Sequence, residues 1–224
     1  MQYFINSAWA IFRKDLILEL RTRENIGTIL PFSVVIAFIF NFTFDPSPQL
    51  MATVGPGIIW VAFIFSGTLG MNRLFLLERE FSTLEGLLTS PIPRESIFIG
   101  KFLGILCLLL VIEGVLIPIF LVLYNFNLFE IRFITITFCA AIGFSSVGSL
   151  FSAIAVNTKA REIMLPVLFL PIILPIVIAA AAATEKIFTT DGWSSILPWL
   201  QLIILFNLVY LVLSSILFTS VIEE

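Results

Sequence analysis

Six long apolar runs limit how this chain can fold. They cover roughly Ile26 to Phe44, Met51 to Asn72, Phe102 to Tyr124, Phe133 to Val156, Ile163 to Thr184 and Trp199 to Val221. A hydrocarbon layer of about 30 Å takes roughly 20 helical residues to cross, and each run is about that long. The runs are continuous and lack the alternation of a membrane barrel, so helices are expected, each pairing its own backbone groups. Composition agrees: 59% hydrophobic against 12% charged residues, with a mean hydropathy of +1.11, is too little polar surface for a soluble globule of this size. The expected fold class is an all-α polytopic membrane protein with six transmembrane helices, a single transmembrane domain over residues 1–224.

Orientation follows from the basic residues. Arg13, Lys14, Arg21 and Arg23 precede the first run, Arg73, Arg79, Arg94 and Lys101 follow the second, and Lys159 and Arg161 follow the fourth. Ten of the 12 therefore fall on one side, with Arg132 and Lys186 opposite. By the positive-inside bias, both termini and the 73–101 loop are expected to be cytoplasmic. The loops on the other face, around Asp45 to Pro48, Asn125 to Glu130 and Glu185 to Pro198, are short.

Residues 1–25 carry seven charges and no apolar core ending in a small-residue cleavage site, so they do not read as a removable signal segment. Ile5, Trp9, Phe12, Leu16 and Leu20 recur at steps of three and four, with Lys14 and Arg21 elsewhere on the wheel. That spacing predicts an amphipathic helix along the cytoplasmic membrane surface, or equally a basic anchor for the first span.

The 73–101 loop is more than a connector. Ser82-Thr83-Leu84-Glu85 fits a capping box, in which a hydroxyl accepts an orphan amide hydrogen and the carboxylate reaches back. A short helix is expected from Ser82 through Gly86, Leu87 and Leu88, stopped by Pro91 and Pro93. Its leucines, with Glu78, Glu80 and Glu85 around them, suit docking onto a soluble partner; a surface-lying helix with no partner is the plainer alternative.

Three features lie at membrane depth. Pro166, Pro171 and Pro175 each remove a backbone hydrogen bond in the fifth span, where kinks or local unwinding and an inward-packed helix are expected. Gly143, Ser145, Ser146, Gly148, Ser149 and Ser152 give the fourth span a face of small residues suited to close helix contact, within one chain or between two copies. Glu113 sits mid-way along the third span, where an unpaired carboxylate costs at least ~2.5 kcal/mol. It is read either as a group on a transport route or coupled to conformation, or as a carboxyl bonded to a neighbouring polar residue such as Ser145 or Ser149.

Several classes of function have no support. A net charge of −3 leaves no basic face for nucleic acid. The absence of histidine removes the commonest general base, metal ligand and axial haem ligand, and Cys107 and Cys139 lie inside apolar runs with no metal-ligand spacing. No metal site and no catalytic residue are expected. Around Gly100-Lys101, a phosphate-cradling loop would need glycine where Glu95 stands and a hydroxyl where Phe102 stands, so this chain does not read as an ATPase.

Glu80, Thr83-Leu84-Glu85, Leu87-Leu88 and Pro91, followed by Gly100-Lys101 opening a span, resemble the cytoplasmic loop of the ABC-2 type permeases. More narrowly, Gly55-Pro56-Gly57-Ile58-Ile59-Trp60, Met71-Asn72-Arg73-Leu74-Phe75 and the proline-spaced Leu165 to Ile178 are similar to the CcmB family, the membrane subunit of the haem exporter of cytochrome c maturation. Length, number of spans and motif order extend the resemblance over nearly the whole chain.

The resemblance implies a subunit of the bacterial plasma (inner) membrane, present in two copies, whose loop near Ser82 to Pro91 receives a CcmA-type cytoplasmic ATPase. It also implies partners of the CcmC and CcmD type, ATP consumed by the partner, and haem as the species delivered, with no cofactor held by this chain itself. Haem either passes through this subunit or is released when ATP-driven movement remodels a partner that holds it; the missing histidines favour the second. The alternatives are an ABC-2 permease exporting a lipid, polysaccharide or drug, a secondary transporter moving protons through Glu113, and a purely structural assembly subunit. Inverted repeats, the usual mark of a secondary transporter, are not evident.

Overall fold

The computed structural model describes the backbone of residues 2–22, 24–44, 48–80, 86, 89–124, 128–157, 161–189 and 192–223. Side-chain surroundings are described for these, apart from 2, 20, 22, 24–26, 28, 30, 48, 49, 73–80, 152, 155–157, 161–166, 222 and 223. The chain is all-helical: α1 Gln2–Thr22, α2 Glu24–Thr43, α3 Pro48–Glu80, α4 Arg94–Tyr124, α5 Ile131–Asn157, α6 Arg161–Thr189 and α7 Leu197–Glu223.

The expected spans fall on α2 to α7 in order, but the count of six is not exact. Among the described residues, five helices are long and apolar enough to cross a membrane, and in α2 the apolar stretch Pro31–Thr43 is shorter.

The 73–101 loop also contracts. Nothing in Arg73 to Glu80 breaks a helix, so α3 runs eight residues beyond Asn72 and carries Glu78 and Glu80 on its last turns. At the other end, Ile92 N–H donates to Ser90 O at 2.8 Å and Ser96 N–H to Pro93 O at 3.0 Å. This turn, set by Pro91 and Pro93, starts α4 at Arg94, two turns before the expected span. The connector is thus residues 81–93.

Helix α5 is the centre of the bundle, contacting α4, α6 and α7 along its length. Of its span, 72% is buried, against 22% for α7 at the periphery. The small-residue face explains this. A side chain at Gly143 would collide with Ile176 and Asn207, and one at Gly148 would come within 2.7 Å of Met71 Sδ. Ser145, Ser146 and Ser149 are fully buried, and each donates to a carbonyl of its own helix. The close contact is therefore within one chain; Ser152 lies outside the described side chains.

Apolar packing gives little preference between protein and lipid, so polar cross-links carry much of the specificity. Ser33 and Ser66 hydroxyls meet at 2.7 Å between α2 and α3. Trp60 Nε1 donates to Thr184 Oγ1 at 3.0 Å between α3 and α6. Tyr124 donates to Ala37 O at 2.7 Å, and Asn41 Nδ2 to Leu123 O at 3.2 Å, tying α4 to α2 at one end. Asn207 Nδ2 donates to Cys139 O at 2.7 Å between α7 and α5. A main core of Trp60, Phe63, Phe120, Phe144 and Phe169 fills the bundle. A second, smaller core of Ile11, Ile97, Phe98, Ala153 and Phe218 joins α1, α4, α5 and α7 at the end where α1 lies.

Candidate functional site

Helix α1 and the end of the 81–93 connector form one surface. Tyr3 Oη donates to Pro91 O at 3.0 Å, and a groove between them is lined by Tyr3, Ser7, Ile11, Lys14 and Ile92. Among the expected docking residues, Pro91 and Gly86 are exposed. Gly86 has helical backbone, and its carbonyl accepts the Thr89 hydroxyl at 3.1 Å. Ser82, Thr83, Leu84, Glu85, Leu87 and Leu88, and with them the capping box, lie outside the described residues; Glu78 and Glu80 are described only in backbone.

The apolar repeat of α1 is not the face that packs. Ile5 and Trp9 are exposed, and Phe12 is half-buried with its ring 5.2 Å from that of Trp9. The buried positions are Ala8, Ile11 and Asp15, one stripe at helical spacing that faces α4. Two apolar faces are therefore present: one meets protein and the other suits lipid.

At the foot of that stripe is a buried ion pair. Lys101 Nζ lies 3.2 Å from Asp15 Oδ2, with the two side chains 1% and 3% exposed, and Lys14 Nζ lies 2.6 Å from Asp15 Oδ1. Local sequence shows why both ends fit. A Cβ on Gly100 would sit 2.7 Å from Ile11 Cβ and 3.1 Å from Ala8 O; one on Gly104 would stand 3.4 Å from Asp15 Oδ2. Two glycines a turn apart flatten α4 and let α1 lie close enough for Asp15 to reach Lys101. Sequence reasoning counted Lys101 among the inside positive charges and passed over Asp15. The available signals were a carboxylate in line with Ala8 and Ile11, and the Gly-x-x-x-Gly spacing around Lys101.

Glu113 is the other buried charged residue on α4, at 7% exposure. Its neighbour is Thr137 of α5; Ser145 and Ser149, expected as partners, are a turn or more further along α5 and bond their own backbone. The antiparallel turn between α4 and α5 sets this register. Among the described residues, Glu113 Oε1 has no hydrogen-bond partner. It borders a cavity of about 20 Å³ walled by Trp60, Phe63, Leu116, Phe120 and Phe133, large enough to admit one water molecule. Gly114 and Pro118 follow directly. Pro118 has no N–H to offer the Gly114 carbonyl, so α4 is weakened one turn beyond the carboxyl.

The expected unwinding in α6 is absent: the helix is continuous from Arg161 to Thr189 through all three prolines. Pro171 is exposed and Pro175 half-buried, while Pro166 is described only in backbone. Pro175 cannot bond the carbonyl of Pro171, and the next carbonyl, of Ile172, accepts the Tyr210 hydroxyl from α7. A neighbouring helix thus supplies a donor to the carbonyl beside the one that Pro175 frees. Phe169, Ile173, Ile176 and Ala180 point inward as expected, whereas Val167, Leu174 and Ile178 are exposed.

The sequence profile described as CcmB protein matches residues 6–223. The chain belongs to the CcmB family. Relatives along most of its length include Heme exporter protein B of Escherichia coli, 29% identical over 195 residues, covering 84% of this chain and 88% of the relative. Heme exporter protein B of Rhodobacter capsulatus is 26% identical over 181 residues, covering 79% and 82%, and that of Paracoccus denitrificans is 25% identical over 178 residues, covering 79% and 82%. The family match spans all seven helices, so the Asp15–Lys101 pair and the Glu113 cavity both belong to the CcmB region of the chain.

Proposed function

We infer that this chain is the membrane permease subunit of a haem exporter serving cytochrome c maturation. The match to the CcmB family over residues 6–223 carries this reading, and relatives named Heme exporter protein B support it. The chain is a transporter subunit and not a catalytic enzyme. We further propose that it sits in the bacterial inner membrane with both termini cytoplasmic, as the ten basic residues on one side favour.

A CcmA-type ATPase, on this proposal, docks on Glu78 to Pro91 and supplies the nucleotide site this chain lacks. Two copies of each would form the core, joined by CcmC- and CcmD-type membrane proteins, with no cofactor held by this subunit. The lack of histidine favours a role in which ATP-driven movement releases haem from a partner. Glu113 with the cavity beside it, and the proline-spaced α6 with Pro166, Pro171 and Pro175, are then the groups that respond to conformation.

The test is complementation in a bacterium lacking its own copy of this subunit, read as covalently haem-stained c-type cytochromes. Cytochrome formation should return with this chain and stay absent when Glu85 and Leu87 are both replaced by Lys. Growth restored on another exported substrate, with no cytochromes, would replace this reading by that of a different ABC-2 exporter.

A further inference from the structure

The contact between α1 and α4 is more specific than simple attachment requires. Tyr3 meets Pro91, Ala8 and Ile11 meet Gly100, and Asp15 meets Lys101 and Gly104. The numbers rise together, so α1 runs alongside the first half of α4 in the same direction and is fastened at three levels. The uppermost fastening is on the carbonyl of Pro91, where the connector from α3 ends. Ile11 also belongs to the second core with Ile97, Phe98, Ala153 and Phe218, which reaches α5 and α7, and the Phe98 and Phe218 rings lie 5.4 Å apart.

A buried ion pair adds little net stability compared with apolar residues of similar shape, but removing one partner is strongly unfavourable. Such a pair therefore discriminates between registers better than it strengthens one. A slide of α1 by one turn along α4 would take Asp15 from Lys101 to the level of Ile97 and Phe98 or of Ile105, all buried and apolar. The two glycine notches oppose the same slide sterically, since Gly100 receives Ala8 and Ile11 and Gly104 receives Asp15.

We propose that Asp15 and Lys101 are positioning residues for energy coupling: they lock α1 to α4 in one register, so that a push on the connector at Pro91 moves both helices as one body against the second core. This rests on the reading above, in which a partner ATPase drives the connector.

The experiment uses the full complex with its ATPase, comparing wild type, the double variant Asp15→Leu with Lys101→Met, and Asp15→Glu. Membrane abundance, ATP hydrolysis by the purified complex and c-type cytochrome formation in cells are measured for each. In the wild type, an ATPase unable to hydrolyse ATP should abolish cytochrome formation; if it does not, the functional reading fails before any variant is compared. With that control satisfied, the double variant should keep wild-type abundance and hydrolysis while cytochrome formed per ATP drops roughly tenfold, within the range of ordinary coupling energies. Asp15→Glu, which keeps the charge, should recover most of it. Full cytochrome formation in the double variant overturns the proposal, as does a fall of hydrolysis and output in parallel with abundance. If the double variant does not accumulate, Asp15→Asn is judged by the same criteria, and failure of both to accumulate overturns the proposal by showing that the pair serves folding alone.

Discussion

Among the described residues, two carboxylates are buried in this bundle, and their surroundings are opposite. Asp15 has the Lys101 ammonium hydrogen-bonded to Oδ2, the Lys14 ammonium 2.6 Å from Oδ1 but outside hydrogen-bond geometry, and a glycine notch that admits it. Glu113 has one threonine neighbour, an oxygen without a partner and a small cavity with aromatic walls. A carboxylate flanked by two cations, one of them on the other helix, holds the two helices in one arrangement. A polar group left short of partners is unfavourable in the state observed, and any rearrangement that pairs or wets it is favoured. On the proposed reading, rigidity belongs to the α1–α4 end and responsiveness to the region of α4 around Glu113, Gly114 and Pro118.

The sharpest way to break this contrast is Lys101→Met alone, which leaves Asp15 buried with Lys14 as its remaining described ionic partner. Loss of one member of a buried pair is expected to destabilise by about 3 to 5 kcal/mol, read as a drop in the thermal midpoint of the solubilised protein. A change under about 1 kcal/mol would mean that Lys14 satisfies Asp15 unaided, and the two carboxylates would then differ less than described. Next in size is Gly100→Ala. Its new methyl would lie 2.7 Å from Ile11 Cβ, an overpacking expected to remove roughly 1 to 3 kcal/mol and visible in the same thermal scan; an unaltered midpoint would show that α1 shifts freely on α4.

Trp60→Phe tests the other end of the bundle. It deletes the 3.0 Å bond to Thr184 while keeping an aromatic wall on the cavity, and about 1 kcal/mol should be lost. A loss as large as that of Lys101→Met would place rigidity at this end too. Smallest in stability is Glu113→Gln, expected to change folding by less than about 1 kcal/mol, because the amide keeps the shape and can still bond Thr137. Cytochrome formation should nonetheless fall severalfold in that variant. Wild-type output would remove Glu113 from any functional role and leave only the paired end of the comparison.

Much of the architecture was legible before any coordinates. The runs read as spans are helices α2 to α7, because at membrane depth a segment must satisfy its own backbone and an apolar run of sufficient length has one way to do so. Where expectation and structure part, the cause is local and physical. Residues 73–80 contain no breaker, so α3 continues into what looked like a loop. The three prolines of α6 suggested unwinding, yet the helix is continuous and Tyr210 of α7 donates to the carbonyl of Ile172. The small-residue face of α5 was recognised, but the choice between contact within a chain and contact between copies needed Ile176, Asn207 and Met71 to be seen in place.

Length, apolarity and the basic residues were enough to establish a helical membrane protein and its expected sidedness, since those properties belong to each segment separately. The motif order, read with them, was enough to reach the family. Pairing across helices belonged to the folded bundle. Asp15 and Lys101 are separated by 86 positions, and whether they meet depends on how far each helix is rotated and slid against the other. One residue of slip turns a helix by about 100° and presents a different side chain. No local periodicity encodes that rotation, which is set by glycine notches, cross-helix hydrogen bonds and the packing of the whole bundle at once.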